Sequence, residues 1–135
     1  MTSGLPDGTK KFAVDITISP TVNFLGSIAE TKTKLSVTEQ IAVAGNLCQI
    51  VPSSGKKIGF IMALASSQYL ADTFKIQVYS GGAWTDVVKP IHASFFLAFP
   101  CWEPTMDAGT GSAARVRMVT TGTGPWSGFF LYYEY

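Results

Sequence analysis

His92 is the sole histidine of the chain, so any mechanism that moves a proton through imidazole near neutral pH must run through it. A Ser-His-Asp site can assemble from distant positions, but its nucleophile-elbow signature, Gly-x-Ser-x-Gly, does not occur in the sequence. His92 therefore reads as a structural residue, on a strand face shared with Ser94, Phe96 and Ala98. Glu103 and Asp107 lie close together beside Trp102, where paired carboxylates would suit a glycosidase or, with further oxygen ligands, calcium. Solvated loop carboxylates are the simpler reading. Gly109-Thr110-Gly111 and Gly122-Thr123-Gly124 are glycine loops, yet neither leads into the helix whose N-terminus would hold a phosphate, so both read as turns. Cys48 and Cys101 each lack a neighbouring thiol, which excludes a CxxC metal or redox motif. In a reducing compartment two free thiols are expected of them, with a disulfide between the two as the alternative. The expectation is a chain without catalytic residues, cofactor or metal.

Aromatic residues carry more information than the polar ones. Trp84, Trp102 and Trp126, with Tyr132 and Tyr133, would supply a stacking platform for sugar rings, and Trp102, Glu103 and Asp107 mark a candidate ligand loop. In a β protein, however, aromatics first serve cores and interfaces. Trp126 to Tyr135 (WSGFFLYYEY) reads as a strand whose alternation puts Trp126, Phe130 and Tyr132 on one side and Phe129, Leu131, Tyr133 and Tyr135 on the other. Neither side is polar enough to face water, so the strand needs two covers, and a second copy of the chain would supply one of them. Trp126, Phe129, Phe130, Tyr132, Tyr133 and Tyr135, with Phe95 and Phe96, are the residues expected at core or subunit contacts.

Composition points the same way. Hydrophobic residues make up 47% of the chain and charged ones 14%, against roughly 25% charged in an average globular protein. Such a shortfall suggests surface buried against partners, although a neutral Ser/Thr/Gly surface is the alternative. The net charge of +1 argues against nucleic acid as a partner, because basic pairs at Lys10-Lys11, Lys56-Lys57 and Arg115/Arg117 are balanced by acids. No signal-peptide core is visible near the first residues, and the longest apolar run, Ile58 to Ala65, falls far short of the ~18 residues of a membrane span. Synthesis in a cytoplasm and no membrane association are expected.

These residues must be carried by short strands. Residues 1–10 read as a flexible arm and 11–135 as one domain. Lys11 to Ser19 alternates as a half-buried strand ended by Pro20, with residues 20 to 31 as a connection. Leu35 and Val37 open a second strand, and a shift of parity after Glu39 and Gln40 suggests a bulge or turn at Thr38 to Gln40. Leu47 to Val51 is a short strand. Lys56 to Ala65 reads as a strand with Ile58, Phe60 and Met62 on one face, a short helix being the alternative. Thr73 to Ser80 and Ala83 to Val88 flank Gly81-Gly82, the strongest hairpin signal. Ile91 to Phe99 follows Pro90 as a further strand, a long loop spans Pro100 to Ser112, and Ala113 to Thr120 precedes the terminal strand. Eight to ten short strands with turn punctuation and no amphipathic helix predict an all-β, antiparallel sandwich of about eight strands.

The segment QIVPSSGKKIGFIMALASS, through Val51, Pro52, Gly55, Lys56, Ile58, Phe60 and Met62, resembles small β-sandwich proteins of bacteriophage virions, with the following hairpin at Gly81-Gly82. Downstream, Ala108, Gly109, Val116 and Met118 resemble the loop and strand before the last strand of such proteins, although Thr110 stands where an acidic residue is usual. The resemblance covers residues 47 to 135. It implies a jelly-roll capsid decoration (cement) protein, minor capsid protein or head-fibre tip, commonly a homotrimer, whose partners are the major capsid protein or other virion proteins and whose place is the virion. On that reading the arm and the Pro100 to Ser112 loop would touch the capsid. A receptor- or glycan-binding tip using Trp102, and a small β-fold hydrolase using His92 or Glu103/Asp107, are the rival expectations.

Overall fold

Alternation of apolar and polar residues dictates strands, and the computed structural model, which describes residues 32–135, contains eight. They are β1 (Leu35–Ile41), β2 (Asn46–Ile50), β3 (Ile58–Ser67), β4 (Thr73–Ser80), β5 (Ala83–His92), β6 (Phe95–Trp102), β7 (Val116–Thr121) and β8 (Trp126–Glu134). Two four-stranded sheets result, ordered β1-β8-β3-β6 and β2-β7-β4-β5, with every neighbouring pair antiparallel. The fold is an all-β sandwich, and the described residues include no helix, hence none long and apolar enough to cross a membrane. The arm at 1–10, the strand at 11–19 and the connection at 20–31 lie outside the described residues.

The core is filled from both sheets. Leu47, Ile58, Phe60, Ile76, Val78, Val116, Met118, Trp126 and Phe130 are fully buried. Phe60 stands edge-on to Phe130, Trp102 and Phe99 at centroid distances of 4.9, 5.4 and 5.5 Å, the geometry that the ring quadrupole favours. Gly128 lets the sheets close up, because a Cβ there would come within 2.6 Å of Leu47 Cδ2. Phe74, Ile76 and Val78 face inward as their alternation requires, and Gly81 and Gly82, with φ of 64° and 80°, form the two-residue hairpin between β4 and β5.

Four expectations are corrected. β1 has no bulge: Leu35, Val37, Glu39 and Ile41 share one parity, and pairing with β8 is unbroken from Leu35↔Tyr132 to Ile41↔Trp126. Glu39 takes an inward position because the bulge lies in β2, where Cys48 adopts a φ of 53° and its freed N–H donates to Glu39 Oε1 at 2.7 Å. Met62 does not share the face of Ile58 and Phe60, since β3 shifts register between Phe60 and Met62, and Ala63 and Ala65 take over the buried face. Pro90 does not divide strands. It lies within β5, an edge strand, at a register shift where its missing N–H deprives no neighbour. The chain turns instead at Ala93 and Ser94, the latter with a φ of 63°, so His92 and Phe96 belong to different strands.

Candidate interaction surface

The register shift in β3 decides what the first sheet shows to solvent. With Ala63 and Ala65 buried, Leu64 points outward, between Phe129 of β8 and Phe96 of β6, and Thr38 of β1 extends the row beyond Phe129. A second row runs Ser36, Leu131, Met62, Ala98, and a third runs Gln40, Ser127, Ser66. Not one outward strand position of this sheet is charged. Phe96 is 52% exposed and Leu64 38%, although each would gain from leaving water. The two charged strand residues of the sheet are occupied elsewhere: Glu39 inward on Cys48, and Glu134 accepting hydrogen bonds from Ser53 N and Ser53 Oγ at 3.2 and 3.4 Å. The second sheet is different, with Lys75, Asp86 and Arg117 on its outward positions.

At one end of the sandwich the same uncharged character continues onto the loops. Asp72 ties three of the connections together: its carboxylate accepts from Ser67 Oγ at 2.6 Å, Thr123 N at 3.0 Å and Gly124 N at 2.8 Å, while its carbonyl accepts from Ala93 N at 2.8 Å. The Ser67 bond, then that from Thr123, holds the Asp72 carboxyl below the usual carboxylate range, and the bond from Gly124 adds to it. The fourth connection touches this hub through Ala42 and Val43, which border Gly124. On this fixed frame Leu70 is 79%, Val43 68% and Tyr69 45% exposed. Asp72 is the one charged residue in these connections, and it is buried.

The residues expected at contacts separate into two groups. Trp126, Phe130 and Tyr133 are fully buried inside the fold, so they are core and present no surface to a partner. Tyr133 illustrates why parity alone misplaces them. It lies on the outward parity of β8, but its ring covers Gly59 of β3, its hydroxyl donates to Cys101 O at 3.2 Å, and burial with nearby Glu103 pushes its pKa up. Phe129, Tyr132 and Tyr135 are half-buried, and Phe95 and Phe96 are exposed. Tyr135 is fixed by backbone, exchanging N–H···O bonds of 3.0 and 2.9 Å with Lys57.

The expected ligand loop does not converge. Trp102 packs on Phe60 and Phe99, Glu103 lies beside Tyr133 and Tyr135, and Asp107 caps the β4–β5 hairpin by accepting from Gly81 N and Gly82 N at 3.0 Å each. Those two bonds, Gly81 first, hold the Asp107 carboxyl below its usual range. The loop itself lies against the sandwich: Met106 is buried with its sulfur 3.2 Å from Ile58 N, and Gly55 and Lys56 bond to Gly109. His92 sits exposed at the end of β5, paired across the ladder with Thr73. Cys48 and Cys101 are free thiols, and burial, with Glu39 adding to it, pushes Cys48 up to about 12. Among the described residues no three His, Cys, Asp or Glu side chains are grouped as a metal would need. Leu64, the centre of the exposed row, was hidden from sequence reading because strict alternation from Ile58 assigns Leu64 to the buried face together with Phe60 and Met62. Comparison of the chain with protein-family models, curated proteins and solved structures finds no match.

Proposed function

We propose that this chain is a structural assembly protein that buries the outer face of its first sheet against further copies of itself, as a viral capsid decoration or cement protein would. The observation that carries the reading is the charge-free outward surface of β1, β8, β3 and β6, centred on Phe129, Leu64 and Phe96. A charged partner would lose solvation there without gaining a counter-ion, so the matching surface is another uncharged one. Within the described chain the corresponding surface is this face itself, since the other sheet carries Lys75, Asp86 and Arg117. A homotrimer is the favoured assembly. Apolar contact gives roughly 25 cal/mol per Å², set against an association cost of about 4–15 kcal/mol, so repetition over a lattice would multiply a modest affinity.

The strand order supports the virion reading. Strands β1 to β4 pair in turn with β8, β7, β6 and β5, the order expected of a jelly roll, an architecture that includes capsid and lectin domains. The loop tips Leu70, Tyr69 and Val43, on a frame fixed by Asp72, are then the proposed contact with a capsid protein.

Light scattering across a dilution series tests the assembly. The expected result is a discrete oligomer that Leu64→Lys or Phe96→Lys converts to a folded monomer. A wild-type chain that stays monomeric at every concentration and does not cosediment with decoration-free capsids would overturn the proposal.

A further inference from the structure

Arg117 lies on β7 opposite Gln77 of β4, and Arg115 immediately precedes that strand, its carbonyl accepting from Tyr79 N at 2.8 Å. Arg117 lies with Cζ 3.9 Å above the Trp84 ring, and Arg115 with Cζ 4.6 Å above the Tyr79 ring. Tyr79 and Trp84 meet edge-on, with centroids 5.5 Å apart, so the two guanidinium groups stack on adjoining rings of one aromatic pair. A relay fixes Arg117: its Nε donates to Gln77 Oε1 at 2.9 Å, Gln77 Nε2 donates to Asp86 Oδ1 at 2.8 Å, and Lys75 pairs with Asp86 at 3.2 Å. Arg115 donates from Nε to Ala108 O at 3.0 Å and from Nη2 to Thr110 Oγ1 at 2.7 Å.

Among the described residues neither arginine makes an ion pair or hydrogen bond with a carboxylate. Asp86 is bridged to Lys75, and Asp107, whose carboxyl feels the charge of Arg115, gives its oxygens to Gly81 and Gly82. Arg115 is only 8% exposed, and burial lowers the pKa of Arg117. Cations partly withdrawn from water and not paired directly with a carboxylate favour an anion. The Arg117 terminal amines have no hydrogen-bond partner among the described residues, and their planar fork fits a carboxylate bidentately. Beside the fork stand the Trp84 ring and the Gln77 amide, with the Tyr79 ring edge-on to Trp84, groups suited to a hydroxylated ring more than to a bare ion.

We propose that the outer face of the second sheet binds a carboxylate-bearing sugar, its carboxylate on Arg117 and its ring beside Tyr79 and Trp84. This site is independent of the uncharged face of the other sheet. Titration of the full chain with sialyllactose, a glucuronate-terminated disaccharide, lactose and inorganic sulfate tests it, read from the NMR signals of the Trp84 indole N–H and Arg117 Nε–H. At least one acidic sugar should bind saturably while lactose does not. Arg117→Gln should weaken that binding about tenfold or more with the melting temperature unchanged, and Arg117→Lys should fail to restore it because the fork is lost. The proposal is overturned if neither acidic sugar saturates, if lactose binds as well, if sulfate binds as tightly as the acidic sugars, or if Arg117→Lys binds like the wild type.

Discussion

At the scale of single residues, the side chains that matter are those whose polar atoms do structural work at a distance along the chain. Asp72 joins connections that are far apart in sequence, through Ser67, Thr123 and Gly124. Its pKa is lower in the folded chain than the value of about 3.9 it would have unfolded, so the unfolded chain takes up more protons as the pH falls. The stability it contributes is therefore complete above about pH 5 and lost as acid titrates it in the folded state, in the same direction as Asp107 and Asp86. Thermal unfolding followed from pH 7 to pH 3 should show this decline, and Asp72→Asn should be less stable at pH 7 yet lose less on acidification. An unchanged acid profile in the variant would remove Asp72 from that role. Little of this was legible in the sequence: Asp72, Glu39 and Asp107 are ordinary loop or strand acids until the fold brings to them the N–H groups that a bulge or a tight turn leaves without ladder partners.

At the scale of elements, strand positions were largely readable and strand faces less so. The β4–β5 hairpin follows from Gly81-Gly82, and β8 from its aromatic alternation, because both depend on neighbours in sequence. The faces of β3 depend on one residue more than β8 has across the shift at Phe60 to Met62, and on extra residues in β6 there, and no local pattern reports a partner's register. Pro90 misleads for a related reason, since its tolerance depends on β5 being an edge. The terminal strand carries the sharpest expectation at this scale. Deleting Tyr132 to Tyr135 removes the pairings of β8 with Leu35, Ile58, Gly59 and Phe60, together with a fully buried Tyr133. Loss of one buried aromatic alone costs about 3–5 kcal/mol, a large share of the roughly 5–15 kcal/mol that keeps a domain folded. The truncated chain should lose its cooperative melt and near-ultraviolet circular dichroism; retention of both would show that β8 is dispensable beyond Leu131.

At the scale of the whole molecule, the two sheets of the described residues present one side whose outward strand positions are uncharged and one side with stacked arginines. The strand order that produces this division also governs how the chain can fold. β4 and β5 are joined by two residues, whereas β1 must wait for β8, the last strand in sequence, and β2 for β7. Such pairings place contact order at the high, slow end, with refolding expected on the millisecond-to-second scale. A nascent chain halted before Trp126 would hold Leu64, Phe60 and the inner face of β1 without their central neighbour, open to solvent and to other chains. Ribosome-bound chains stopped there should be cleaved rapidly by protease and those extended past Tyr135 should resist it, so that the first sheet closes only after synthesis has delivered its second strand.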